Sequence, residues 1–207
     1  MTSGPPSERT RVRRLADRAS YEQATVYAIL DEALLVHVGV VTESGPVVLP
    51  MAFGRVGDTL YLHGAVGNAL LKASGDAEVC VTATLLDGLV LARSAFHHSM
   101  NYRSVVVRGQ ARAVDGDEKL AALTAVVDHN LPGRWAAARP PSPSELRSTR
   151  VLALPLAEAS AKVRTGPAVE DPDDLDLEVW AGVIPLSLVR AEPEPDSGCG
   201  QAAAPAW

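Results

Sequence analysis

The sequence predicts a mainly β fold with flanking helices, arranged as an antiparallel meander or Greek-key barrel, and three observations carry that reading. Short apolar runs recur from Leu34 to Val114, turn residues punctuate them, and a helical period interrupts them at only a few places. At 207 residues, with 47% hydrophobic and 21% charged side chains, the chain has the length of a single domain and enough apolar content for a sizeable core.

Residues 1–19 hold Pro5, Pro6 and five arginines with little apolar content, which predicts a mobile arm, either solvated or folded over a partner surface. Ser20 and Gln23 have capping-box spacing ahead of the stripe Val26, Ile29 and Leu30, so a helix is expected near 21–32 with its apolar face on a sheet. Strand-like runs follow at 34–41, 46–53, 58–63, 77–86, 89–95 and 102–114. Ser44-Gly45, Gly57-Asp58, Asp87-Gly88 and Asp115-Gly116 separate them, and Asp87-Gly88 in particular fits a tight hairpin. Within 102–114, Val105, Val107, Gly109, Ala111 and Ala113 alternate with mostly polar neighbours, as in a strand with one face in a core.

A second helix is expected near 117–130, with an acidic first turn and Leu120, Leu123 and Val127 on its buried face, ended by Pro132-Gly133. Residues 139–149 read as a Pro/Ser loop with one helical turn, 150–156 and 159–165 as two more strands, and 170–176 as an acidic surface loop. The tail 191–207 is rich in Pro, Glu, Gly and Ala without periodicity and reads as disordered, leaving 20–190 as one domain.

A formal charge of −6 and an aromatic content of 4% argue against nucleic acid as a partner, since both the cationic footprint and the stacking platforms are missing. Cys80 and Cys199 suggest neither a disulfide framework nor a zinc site. No apolar run approaches the roughly 18 residues of a membrane span, and the arginine-rich start lacks the apolar stretch of a secretory signal, so a cytoplasmic location is expected.

Two segments concentrate polar groups inside apolar surroundings. In the first, 61–72, a strand ends at His63, glycines allow a close turn, and a short helix starts around Asn68 with Lys72 one turn in. Free N–H groups and a cation there suit a phosphate, although an ordinary strand-to-helix turn with a solvated lysine explains the same residues. In the second, 94–104, a polar and aromatic loop contains the adjacent His97 and His98. No carboxylate or thiol follows at ligand spacing, so no metal site is expected. His37 reads as a hydrogen-bonded core or interface histidine, His129 as a helix-end histidine, and Lys162 and Arg164 as surface strand charges or contacts for an anion.

These segments, in this order, together with Val47-Val-Leu-Pro-Met51 before them and Ala161-Lys-Val-Arg-Thr-Gly-Pro167 and Trp180-Ala-Gly-Val-Ile-Pro185 after them, resemble the pyridoxamine 5'-phosphate oxidase-like flavin-binding split-barrel family. Within it, the chain is most similar to the flavin-nucleotide-binding and nitroimidazole-resistance branch, and Ser94-Ala-Phe-His-His-Ser-Met-Asn-Tyr-Arg-Ser104 is the most specific segment.

The resemblance implies a six-stranded antiparallel Greek-key split barrel that forms a homodimer with FMN in clefts between the subunits. It implies that Leu49, Pro50 and Met51 face the isoalloxazine ring and that His63, Gly64, Ala65, Asn68 and Lys72 form the ribityl and phosphate turn. Tyr102, Arg103 and Ser104 would border the cofactor, Trp180 would pack at the partner's flavin site, and His97 and His98 would rim the substrate side.

Function is then expected to be that of an FMN-binding oxidoreductase passing electrons or hydride to a small organic acceptor. His63 and His97 are the candidates for proton delivery. The alternative is a non-catalytic dimer that binds or senses a cofactor. The C-terminal Trp/Arg/His pattern of the true oxidases is missing, and Asn68 stands where relatives place a hydroxyl or a basic residue, which keeps deazaflavin and haem beside FMN.

Overall fold

Ala52 and Ala111 are the points where the chain passes between two antiparallel sheets: Gly45–Met51 and Ser99–Gln110 pair in a larger sheet, Phe53–Val56 and Arg112–Ala113 in a smaller one. The computed structural model describes residues 4–74 and 77–199. Their elements are β1 (Ala19–Ser20), α1 (Gln23–Glu32), β2 (Val36–Thr42), β3 (Gly45–Met51), β4 (Phe53–Val56), β5 (Thr59–Ala65), α2 (Ala69–Ser74) and β6 (Glu78–Leu91). There follow β7 (Ser99–Gln110), β8 (Arg112–Ala113), α3 (Gly116–Asn130), α4 (Arg134–Ala137), α5 (Pro143–Ser148), β9 (Thr149–Pro155), β10 (Ala159–Arg164) and β11 (Gly182–Pro185).

The larger sheet runs β1-β10-β7-β6-β2-β3, with β11 added to the far end of β6, and the smaller runs β4-β5-β9-β8. Together they make the mainly β split barrel that the sequence predicts. The eight strand runs read from the sequence become eleven segments: 46–53 and 102–114 each divide where the chain changes sheets, 77–86 and 89–95 join as the single strand β6, and the short β1 and β11 are added. Alternation explains which side is filled. Val36, Val38 and Val40 of β2, Val79 and Val81 of β6, and Val105 and Val107 of β7 meet Phe53, Leu60, Leu62, Leu152 and Leu154 of the smaller sheet in one core, closed by Ile29 and Leu30 of α1 and Leu71 of α2. The smaller sheet is covered on its second face as well, by α3 over Tyr61, Val151 and Ala153. On β2 and β3 the larger sheet's second face has no cover among the described residues, and Val41 and Val48 there are 76% and 62% exposed.

Asp87-Gly88 is not a hairpin. Residues 78–91 form one strand whose register slips between Leu86 and Gly88, a β-bulge. Gly88 packs closely there, since a Cβ would sit 3.1 Å from the Ile184 carbonyl oxygen of β11. The bulge moves the inward positions from odd numbers, Val79, Val81 and Ala83, to even ones, Val90 and Ala92. The expected capping box of α1 is absent: Glu22 is the N-cap, while Ser20 lies in β1 pairing with Ala161. The stripe Val26, Ile29 and Leu30 is buried as expected.

α3 buries Ala122, Leu123 and Val126 and leaves Leu120 and Val127 exposed, a rotation away from the expected face. The cause is Gly54, which lets the helix backbone lie directly on β4: a Cβ at Gly54 would stand 2.5 Å from the Ala125 carbonyl carbon and 2.5 Å from the Val126 nitrogen. His129 then stacks on Phe53 with ring centroids 4.3 Å apart, and its Nε2 lies 2.7 Å from the Ala33 carbonyl oxygen. α5 has a complete capping box, Ser142 with Glu145, and the Glu145 carboxyl is drawn down to about 2 by Arg139 and by Ser142.

Residues 4–19, expected as a mobile arm, instead lie against their own barrel, where Arg9 pairs with Glu158 and Glu78, Thr10 is buried, and the Val12 amide donates to the Tyr21 hydroxyl at 2.8 Å. Of the tail, 191–199 are exposed without helix or strand, and 200–207 lie outside the described residues. Among the described residues, no helix is long and apolar enough to cross a membrane.

Replacing Gly54 by Ala forces a methyl group into peptide backbone that cannot swing aside. The expected loss is about 1–3 kcal/mol of unfolding free energy, read by urea denaturation, and an unchanged midpoint would show that α3 rides more loosely on β4 than the 2.5 Å approach requires.

Candidate cofactor site

The turn between β5 and α2 is built by Asn68. Its Oδ1 accepts from the Leu70 and Leu71 amides at 2.9 and 3.3 Å and so caps α2, which leaves only its amide N–H groups for a ligand. Gly64 is a place of close packing, since a Cβ there would meet Leu71 Cδ1 at 2.7 Å. Beyond it, Ala65 ends β5, and Lys72 projects exposed one turn into α2.

A groove of about 850 Å³ runs between this turn and the β2–β3 hairpin. Val47, Leu49 and Leu70 give it an apolar wall, Lys72 a cation, Thr42 and Ser44 hydroxyls, and Glu43 a carboxylate. Three of the residues nominated from sequence, Leu49, Asn68 and Lys72, are therefore brought together. Alternation along β3 splits the rest of their group: Met51 packs on the core beside Leu49, and Pro50, opposite His37, turns to the bare outer face. His37 is exposed there and is not in the core.

His63 does not line the groove. It stands opposite Val151 on β9, its Nδ1 is buried without a partner among the described residues, and burial lowers its pKa from 6.5. Arg103 is engaged within its own chain: Nε and Nη2 donate to Asp87 at 3.0 and 2.8 Å, Nη2 to Glu32 at 2.8 Å, and Nη1 to Glu32 as well. Those hydrogen bonds hold the Arg103 pKa above its ordinary value and that of Glu32 below. Ser104 donates to the Lys162 carbonyl at 3.3 Å, and Tyr102 stands half-buried opposite Arg164.

The second polar segment forms a separate place at the far end of β6 and β7. His97 Nε2 lies 3.0 Å from Asp171 Oδ2, and with Asp174 these side chains bring ligand atoms within 4.8 Å of one another, a group the sequence did not signal because 74 residues separate His97 from Asp171. His98 Nδ1 lies 3.0 Å from the Ser94 carbonyl oxygen. Trp180 is 64% exposed, and its ring shields Gly182.

Arg164 is the residue whose setting the sequence misjudged most. It is 5% exposed rather than a surface charge, and its guanidinium donates to the Gly166 carbonyl at 3.2 Å, to the Pro167 carbonyl at 2.9 Å and to Asn101 Oδ1. Burial and then the neighbouring Arg18 cation push its pKa down. Among the described residues it has no carboxylate partner, and its Nε has no partner at all. Asn101 adds a bond to the Gly166 carbonyl at 3.1 Å, and Arg93 holds Glu170 at 3.0 Å. These contacts fix the loop that carries Asp171 to His97.

Residues 22–163 match the profile of a family described as pyridoxamine 5'-phosphate oxidase. No curated protein matches the chain. Among solved structures the chain is similar to a flavocytochrome from Azotobacter vinelandii, at 42% identity over 98% of this chain and 96% of that one, with a TM-score of 0.92. It is similar to an FAD and heme binding protein from Mycobacterium smegmatis at 35% identity over 91% and 94%, with a TM-score of 0.84. A protein from Bacteroides thetaiotaomicron described as a 5-nitroimidazole antibiotic resistance protein follows at 26% identity over 70% and 86%, with a TM-score of 0.59.

The lowered pKa of His63 has a sign in stability. Neutral His63 is favoured in the folded chain, so its contribution is fully present above about pH 6.5 and is lost as pH falls below that value, where the unfolded chain takes up a proton first. Urea denaturation of wild type and His63→Gln between pH 7.5 and 5 measures this. Stability of the wild type is expected to fall more steeply with acid than that of the variant, and parallel curves would contradict it.

Proposed function

The chain belongs to the pyridoxamine 5'-phosphate oxidase family, and on that footing we propose that it is a redox flavoprotein that carries a haem beside its flavin. The observation that carries the reading is likeness over nearly the whole chain to a flavocytochrome and to an FAD and heme binding protein. FAD, rather than the FMN expected from sequence, is the flavin that this likeness favours.

The residues present fit a flavin nucleotide. The groove has the volume of a small-molecule site, an apolar wall and an exposed ammonium. Bound flavin supplies the electron-transfer chemistry. Leu49 and Leu70 would keep water from an apolar ring system, Lys72 would hold a phosphate by a charge-assisted hydrogen bond, and the Asn68 amide would offer N–H groups to the same ligand. Neither His63 nor His97 lines the groove, so electron transfer fits these residues better than proton donation to an organic substrate.

The bare face of the larger sheet supports a homodimer. Val41, Pro46, Val48 and Pro50 make an apolar surface on β2 and β3 with no covering element among the described residues, the kind of patch that a second copy buries.

Absorbance of the protein as purified, with the extracted flavin identified by chromatography, tests the cofactor reading: flavin bands plus a Soret band and released FAD are expected, and absence of both chromophores after reconstitution would overturn it. Lys72→Ala is expected to weaken FAD binding about tenfold or more, the equivalent of about 1.5–3 kcal/mol for a charge-assisted contact. Equal affinity would remove Lys72 from the site. Light scattering is expected to give a dimer for wild type and a monomer for Val48→Asp, and a monomeric wild type that still binds cofactor would refute the shared face.

A further inference from the structure

We propose that His97, Asp171 and Asp174 bind a divalent transition-metal ion, with Zn²⁺ the ion that their donor set fits. The site is independent of the flavin and haem reading above, and its donors come from two segments that meet only in the folded chain. One ring nitrogen of His97 and one carboxylate oxygen from each aspartate lie within 4.8 Å of one another, and His97 Nε2 and Asp171 Oδ2 are 3.0 Å apart. Around Zn²⁺, nitrogen and oxygen ligands at about 2.0–2.2 Å stand roughly 3.3–3.5 Å from each other, so the group closes on an ion by side-chain movements of about an ångström.

Both sides of the group are held by contacts of their own. His97 ends the 3-10 turn Ala95–His97, where its amide donates to the Ser94 carbonyl at 3.2 Å and its ring meets Phe96 edge-on with centroids 5.1 Å apart. Across from it, the 3-10 turn Pro172–Asp174 starts from Asp171, and residues three apart in such a turn project to the same side. The Asp174 amide donates to the Asp171 carbonyl at 3.0 Å within that turn. Glu170, the residue before, is pinned by the Arg93 guanidinium at 3.0 Å and by the Arg93 amide at 3.2 Å.

What this arrangement lacks is a positive charge. Among the described residues no lysine or arginine pairs with Asp171 or Asp174, and Arg93, the cation that anchors the loop, is committed to Glu170. Two carboxylates held this close repel each other. A proton on His97 offsets one of the two charges, whereas a divalent ion offsets both.

The imidazole sets the class of ion. Ring nitrogen favours zinc and its transition-metal neighbours over Mg²⁺ and Ca²⁺, which take oxygen ligands. Three protein ligands leave one tetrahedral position to water, in keeping with the exposure of Asp171. Bound there, the ion ties the loop 165–174 to the start of β7.

The protein as purified, freed of loose metal ions with EDTA and dialysed, is titrated with zinc chloride by calorimetry beside His97→Gln, Asp174→Asn and Asp173→Asn, each checked for folding by circular dichroism. Asp173 is an exposed carboxylate of the same turn that stands outside the group, so its variant reports the general acidity of the loop. Wild type and Asp173→Asn are expected to bind one Zn²⁺ per chain with equal affinity, undisturbed by excess magnesium chloride. His97→Gln and Asp174→Asn are expected to bind it tenfold or more weakly. A wild type without stoichiometric binding overturns the proposal, as do equal affinities in all four proteins or a loss in Asp173→Asn as large as that in Asp174→Asn.

Discussion

The aliphatic layer shared by the two sheets is the constraint on which the rest of the molecule depends. Val38, Val81 and Val107 from one side and Leu60, Leu62 and Leu154 from the other are fully buried, and neither sheet has another partner large enough to cover that face. Because β3 runs into β4 and β7 into β8 across a single alanine each, the two halves of this layer cannot separate without breaking strand pairing in both sheets. The helices then take the remaining places: α1 and α2 close the core, and α3 lies flat on the outer side of the smaller sheet where Gly54 admits it.

Once the core is closed in this way, function is left with the margins. The groove beside α2 and the His97–His98 loop lie on different parts of the barrel, the first defined by a helix cap at Asn68 and the second by long-range contacts from the loop 165–171. An Arg164 guanidinium that is buried and met only by neutral oxygens is costly unless its surroundings hold it firmly. Its several bonds to Asn101, Gly166 and Pro167 do that, and they turn a segment with no secondary structure of its own into a fixed wall.

What could be read in the sequence was local. Period-two runs gave the strands, and the spacing of Val26, Ile29 and Leu30 gave the buried side of the first helix. The ordered motifs gave the family, and within the groove they gave Leu49, Asn68 and Lys72. What could not be read depended on contacts between distant segments. The rotation of α3 is set by Gly54, some seventy residues away, and the burial of Arg164 by Asn101 and by the loop that follows it. The self-contained pairing of Arg103 requires Glu32 and Asp87, which no spacing rule connects to Tyr102 and Ser104. Asp87-Gly88 was ambiguous in principle, since the same residues serve a hairpin turn and a bulge, and only the approach of β11 distinguishes them.

That bulge makes β6 sensitive to length more than to content. Up to Ala83 the odd positions face inward and from Val90 onward the even ones do, so a single strand keeps two phases of one pattern in step with the core. Substitutions along it would disturb one site at a time. A one-residue deletion outside the bulge, with the bulge kept, would instead turn every side chain beyond it over, sending Val90 outward and Leu89 inward and unseating β11 along with them. Related chains that keep this architecture are therefore expected to tolerate variation in the letters of this strand but not in their number.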